Sequence, residues 1–166
     1  MNLLTPRLRL IPWTLASVPG LEQFLAHPDV RRYLCDGQVL PRERVEEIVQ
    51  RHLRDQLQGA GMWWVELARG GAAGIAGLTF TMPSGEPELL YALHPDFWGR
   101  GFAVEACRAV LDHLWAHSGA PVCWARTDPP NTSSEAVMRR LGMQPCGLTG
   151  EPPLITYRLN RPSARD

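Results

Sequence analysis

Lysine is absent from all 166 residues; the seventeen basic side chains are arginines. A guanidinium stays protonated at any useful pH, which excludes Schiff-base chemistry and a lysine base. The same absence rules out a phosphate loop of the Walker kind, whose glycines lead to a lysine. A surplus of charge is lacking too, since 17 basic residues stand against 17 acidic ones. Neither a basic face for nucleic acid nor an acidic block for a cationic partner is advertised. No apolar run approaches the ~20 residues that cross a bilayer, and Arg7 and Arg9 interrupt the N-terminal leucines where a signal peptide would be continuous. Cys35, Cys107, Cys123 and Cys146 are far apart with no Cys-x-x-Cys pair, a pattern of buried reduced thiols rather than of a disulfide or zinc framework. The expectation is a cytoplasmic protein with no nucleic-acid or membrane partner. Residues 1–161 form one domain, able to bury roughly 70% of the unfolded chain's surface, and 162–166 form a loose tail.

What is present centres on residues 86–106. Glu88 to Leu93 reads as a strand, His94-Pro95-Asp96 stops it, and Gly99 and Gly101 stand where a helix begins, because Val104, Cys107, Leu111 and Leu114 recur at helical spacing. Unpaired N–H groups at a helix start, backed by the helix dipole, suit a phosphate or diphosphate. A dinucleotide fingerprint would require a third glycine near Val104, which is missing. Around this unit the chain reads as strand 8–13, helix 19–26, a segment leading to a Gly37 turn, and a helix opened by Pro41 with Val45, Ile48, Val49, Leu53 and Leu57 on one stripe. Strands 62–68 and 74–82 form a hairpin through Arg69-Gly70-Gly71. After the central helix come strand 122–127, helix 131–141 closed by Gly142, and strands 143–147 and 155–159. This order predicts a mixed α/β layer fold.

Trp98-Gly99-Arg100-Gly101-Phe102-Ala103 resembles the signature of the GNAT superfamily of acetyl-CoA-dependent N-acetyltransferases: Arg or Gln, two residues, Gly, one residue, then Gly or Ala. Trp98 replaces the first Arg or Gln. The longer run from Tyr91 to Ala106 matches Tyr-x-Leu-x-Pro-x-x-Trp-Gly-x-Gly-x-Ala-x-Glu-Ala, similar to the branch of ribosomal-protein N-terminal acetyltransferases. A second likeness lies in Asn131 to Ser134 and in Leu141-Gly142-Met143, with Met143 in place of the family's Phe. The resemblance implies a mostly antiparallel twisted sheet of about seven strands flanked by about four helices. It also implies that the fourth and fifth strands run parallel and splay to admit a pantetheine arm. Trp98, Gly99, Arg100, Gly101, Phe102 and Ala103 would then hold acetyl-CoA, together with the main chain of Leu93 and with Asn131 and Ser134.

An amine attacking a thioester loses a proton, the carbonyl oxygen gains charge, and the thiolate finally takes up a proton. Glu88 is the candidate base, against an exposed strand-edge carboxylate. Glu151 is the reserve, and His94 a rival that also reads as a turn residue. Many relatives place a proton-donating tyrosine where this chain has Met138, so Ser134 becomes the candidate donor or thiol hydrogen bond. Asn131 reads as a pantetheine contact or as a plain helix cap. His113 and His117 share one helical face without a third ligand, so no metal is expected. Trp63, Trp64, Trp115 and Trp124 read as core. An α-amine with pKa ~7.8 costs about 1 kcal/mol to deprotonate at neutral pH and a lysine at ~10.4 about 4 to 5, which favours a protein or peptide N-terminus as acceptor. Small-molecule amines and a non-catalytic acyl-CoA-binding module stay open, as does the choice between monomer and homodimer.

Overall fold

In β2 (Leu8–Pro12), Leu8 and Leu10 alternate with Arg9; both leucines are fully buried, and Arg9 reaches its cross-strand neighbour Glu66 at 3.0 Å. The computed structural model describes residues 1–56 and 59–163. Among these, β2 belongs to an eight-stranded sheet with β1 (Leu3–Leu4), β3 (Met62–Leu67), β4 (Ala72–Thr79), β5 (Glu88–Leu93), β6 (Val122–Thr127), β7 (Gln144–Thr149) and β8 (Leu154–Asn160). The spatial order is β1-β2-β3-β4-β5-β6-β8-β7. Every pairing is antiparallel except β5 with β6, which run parallel and meet in register only at Glu88 and Trp124. Beyond that pair no ladder joins them, and a cleft opens between the two strands.

The period of two sends alternate β5 residues to opposite faces. Leu89, Tyr91 and Leu93 join the cluster made with α4 (Phe102–His117), whose Phe102, Ala106, Cys107, Val110, Leu111 and Leu114 form the inner stripe. Leu90 and Ala92 join the cluster on the other face. There α1 (Val18–Ala26) and α3 (Arg42–Gln56) lay Leu21, Leu25, Val45 and Val49 over Met62 and Ile75. Each such side chain, fully removed from water, contributes about 1.5–3 kcal/mol before conformational entropy is counted. The outer side of α3 is held by Arg42 with Glu46 at 3.1 Å and by Arg44 with Glu47 at 2.6 Å.

Two elements exceed the expected seven strands and four helices. β1 has two residues, too few to show periodicity, and α2 (Pro28–Arg31) has four, started by Pro28 and capped by His27 Nδ1 accepting from the Asp29 N–H at 3.3 Å. The remaining helix, α5 (Thr132–Arg140), lies where helix 131–141 is expected. Leu57, assigned to the α3 stripe, and residues 164–166 of the tail lie outside the described residues. All four cysteines are free, as expected, yet only Cys107 and Cys123 are buried. Burial pushes the Cys107 thiol well up and that of Cys123 to about 12, so neither is a nucleophile. Cys146 is exposed because all six β7 residues are, at the uncovered end of the sheet. Trp124 also departs from its core assignment: it is half-buried, with its indole donating to Glu86 Oε2 at 2.7 Å.

Candidate active site

A cleft of about 660 Å³ runs through the β5–β6 fork and is lined from the α4 side by Trp98, Gly99, Gly101, Phe102 and Ala103. Gly101 caps α4 in the left-handed region at φ 77°, and Gly99 also has positive φ, 72°. That conformation favours residues without Cβ. A Cβ at Gly99 would meet nothing within 4 Å, and one at Gly101 only Arg7 Nη2 at 3.6 Å. The turn therefore presents bare backbone to open space, with the unpaired amides of the first α4 turn behind it. An anion of diphosphate size suits this arrangement.

Residues distant in sequence hold that turn in shape. Arg7 donates from Nη1 to the Arg100 carbonyl at 3.0 Å and from Nε to Glu105 Oε2 at 2.6 Å. The Arg7 N–H reaches Glu105 Oε1 at 3.0 Å, and the Thr5 hydroxyl reaches the same oxygen at 2.6 Å. In a trans peptide the C=O and the following N–H point in opposite directions. Drawing the Arg100 carbonyl toward Arg7 thus turns the Gly101 N–H the other way. Burial raises the Glu105 carboxyl, but the bonds from Thr5 and Arg7 outweigh it and hold Glu105 below the ordinary carboxylate range. Trp98 donates its indole N–H to the Leu93 carbonyl at 2.7 Å, which ties the loop to the end of β5. The Leu93 carbonyl is thus engaged within the protein. The Arg100 side chain is exposed and does not line the cleft.

The other face of the fork carries charge. Glu88 is 8% exposed. Arg126 grips both its oxygens, Nε to Oε1 at 2.7 Å and Nη2 to Oε2 at 2.8 Å, and the Thr81 hydroxyl also bonds Oε2. It is thus neither an exposed edge carboxylate nor a free one. A bidentate guanidinium occupies carboxylate lone pairs that a proton or an incoming amine would otherwise use. Arg51, Tyr33 and the Asp29–Arg32 pair also line the cleft.

Ser134 and Asn131 line the cleft from α5. Asn131 Oδ1 accepts the Ser134 N–H at 3.3 Å and the Ser133 hydroxyl at 3.0 Å, so the helix-cap role is filled. Ser134 Oγ lies 2.8 Å from the Tyr91 hydroxyl, a contact the sequence reading did not anticipate. Met138 is buried in the core. Glu151 is exposed in the β7–β8 turn and does not line the cleft, and His94 accepts from the Asp96 N–H at 3.4 Å as a turn cap. His113 and His117 stack at 4.4 Å, with His117 Nδ1 bonded to the His113 carbonyl. Among the described residues, no three His, Cys, Asp or Glu side chains gather as metal ligands.

Residues 7–144 match the family model described as an acetyltransferase (GNAT) domain. An uncharacterized N-acetyltransferase p20 of Bacillus licheniformis is 26% identical over 150 residues, which cover 89% of this chain and 84% of that protein. The solved structure of an acetyltransferase from Agrobacterium tumefaciens superposes with a TM-score of 0.83 at 26% identity, covering 96% of this chain and 94% of that one. A structure of RimL, a ribosomal L7/L12 alpha-N-protein acetyltransferase in complex with coenzyme A, superposes at 0.82 with 20% identity and coverages of 96% and 98%.

Proposed function

We propose that this chain, which belongs to the GNAT acetyltransferase family, moves the acetyl group of acetyl-CoA to the α-amine of a protein or peptide N-terminus. The family and the open glycine turn support the donor: the amides of residues 99–103 would take the diphosphate, and Asn131 and Ser134 would border the pantetheine and thioester. One observation carries the choice of acceptor. Glu88, the acidic side chain nearest the fork, has both oxygens held by Arg126. A fork whose own carboxylate is engaged by an arginine suits an amine that loses its proton easily. An α-amine needs about 1 kcal/mol for this at neutral pH, a lysine about 4 to 5.

In this reading Glu88 acts mainly by charge, drawing the incoming ammonium to the fork, and the proton departs through water. Ser134 offers its hydroxyl to the sulfur. The activity named for RimL, on the α-amine of a ribosomal protein, lends the same lean to a chain of like fold. The cleft volume of about 660 Å³ also lies in the range of small-ligand pockets, and this favours a small-molecule amine as the second reading.

Thiol release from acetyl-CoA separates the readings. The panel is peptides with free N-termini, the same peptides N-blocked but carrying an internal lysine, and polyamines, amino acids and aminoglycosides. Turnover with the free peptides alone is the expected result. Turnover confined to small amines would replace the first reading with the second, and acetyl-CoA binding with no turnover would leave a non-catalytic module.

A further inference from the structure

Tyr91 sits in the middle of β5, on the face toward α4, and lines the cleft beside Ser134. Its hydroxyl oxygen is 2.8 Å from Ser134 Oγ and 3.0 Å from the Ser134 carbonyl oxygen. A phenol has one proton to donate, and so has a serine. Two arrangements of these protons are therefore possible. In the first, Tyr91 donates to the carbonyl and Ser134 donates to Tyr91, so the serine proton is consumed inside the protein. In the second, Tyr91 donates to Oγ, and the serine proton is free to point into the cleft. The carbonyl loses little in the second, because it already accepts within the ladder of α5.

We propose that Tyr91 is a positioning residue: by donating to Ser134 Oγ it aims the serine O–H at the sulfur of the acyl donor, where it meets the departing thiolate. The inference rests on the acyl-CoA reading of the cleft and adds the residue that makes Ser134 effective. The covalent step balances without either hydroxyl losing its proton. The amine nitrogen bonds to the carbonyl carbon, the C–S bond breaks with its electron pair going to sulfur, the nitrogen gives one proton to water, and the sulfur takes one from water as the thiol leaves. Burial, and next the nearby Cys107, push the Tyr91 phenol well above its ordinary pKa, so it serves as a donor and is not ionised. A hydrogen bond to a full negative charge is also stronger than one to a neutral thioester, so the contact acts mostly once charge reaches the sulfur.

The test needs no acceptor. Coenzyme A with its free thiol is bound to the full chain at about pH 8, close to an ordinary thiol pKa of ~8.5, and the ultraviolet absorbance of thiolate is read against the acetyl-CoA complex as blank. The other charged groups of the cleft, Asp29, Arg32, Arg51, Glu88, Arg126, Asp128 and Arg140, are the same in every protein compared. Bound coenzyme A is expected to be more ionised than free coenzyme A by about tenfold in the equilibrium constant, the effect of one hydrogen bond to a charged group. Tyr91→Phe should lose this excess while keeping its affinity for acetyl-CoA within about twofold, and adding it to Ser134→Ala should change nothing further. Full excess thiolate in Tyr91→Phe, or none in the unmodified protein, overturns the proposal. Should Tyr91→Phe fail to fold, Ser134→Ala decides alone: it leaves the tyrosine in place, and unaltered ionisation refutes the arrangement. Failure to bind either coenzyme A or acetyl-CoA is a different result, which removes the donor reading itself.

Discussion

The two sides of the β5–β6 fork are made of different material. On the α4 side the surface offered to a ligand is main chain: a turn with two glycines at positive φ, amides at a helix start, and side chains that hold the turn from behind. On the α1–α3 side it is side chain: Glu88 from β5, Arg126 from β6 and Thr81 from the segment after β4, joined by hydrogen bonds that cross three elements. In the proposed function backbone would bind what every acyl-CoA shares, its phosphates, and it depends on local sequence. Side chains select what differs between acceptors and depend on the whole fold. A substitution on the first side should therefore act on donor affinity, and one on the second on acceptor use.

The largest expected effect is on the main-chain side. Gly101→Val puts a β-branched residue at φ 77° and a side chain where the ligand would lie. Strain of about 1–3 kcal/mol and the loss of one phosphate contact together predict on the order of a thousandfold weaker acetyl-CoA binding. Calorimetric titration of the folded variant measures this. Binding retained within a few-fold would mean that the turn is not the phosphate site, and the contrast between the two sides would lose its first term.

A smaller effect is expected beneath the acceptor wall. His52 lies on the buried face of α3, next to Arg51 of the cleft, with its ring edge-on to Trp13 at 5.4 Å. Burial, followed by the Arg51 charge, lowers its pKa to about 4, and Asp55 at 3.8 Å is too far for a hydrogen bond. Between ~6.5 and 4 the unfolded chain binds a proton at His52 that the folded chain refuses. Stability must then rise with pH across that window, and it falls by up to about 3 kcal/mol as the solution is acidified through it. Denaturant unfolding at a series of pH values should show the slope, and His52→Leu should flatten it. Hydrogen exchange is expected to accelerate in α1 and α3 before α4. Uniform acceleration would show that the two sides are not separately stabilised.

The difference in material also explains what could be read from the chain. The α4 side was legible because its determinants are contiguous: a strand, a stop, Gly99 and Gly101, and a helical stripe from Val104 to Leu114. What sequence could not reveal there is the brace, since Arg7 and Glu105 are 98 residues apart and meet only once β2 lies beside α4. Glu105 does carry a local signal, an acid in the first helical turn, but that signal gives no partner. On the other side Glu88 was legible as a carboxylate at the right end of β5, whereas its state depends on Arg126, 38 residues on, brought opposite by the single parallel register pair. Tyr91 was legible as a strand residue and as the first residue of the run that resembles the family, but with no role attached; only the placement of α5 over β5 gives its hydroxyl a partner.

The subtlest effect is expected at Glu88 itself, where two roles predict different quantities. If the carboxylate mainly attracts an ammonium, Glu88→Gln removes one partly screened charge, an interaction worth about 1 kcal/mol, and raises the acceptor KM roughly fivefold with little change in kcat. If it must receive the proton, kcat falls by about a hundredfold or more with KM preserved. Arg126 biases the outcome toward the first, because an Arg-held carboxylate gains a proton only by giving up two charge-assisted hydrogen bonds. The glutamine can still accept one of the two guanidinium bonds, so Arg126 is not left without a partner. Salt supplies the independent check: an attraction acting through solvent weakens as the Debye length shrinks from ~10 Å at 0.1 M to ~3 Å at 1 M, whereas a proton transfer within the cleft is barely screened. An acceptor KM that rises with salt in the unmodified protein and not in Glu88→Gln would assign the residue to attraction, and a collapse of kcat alone would return it to the role of base.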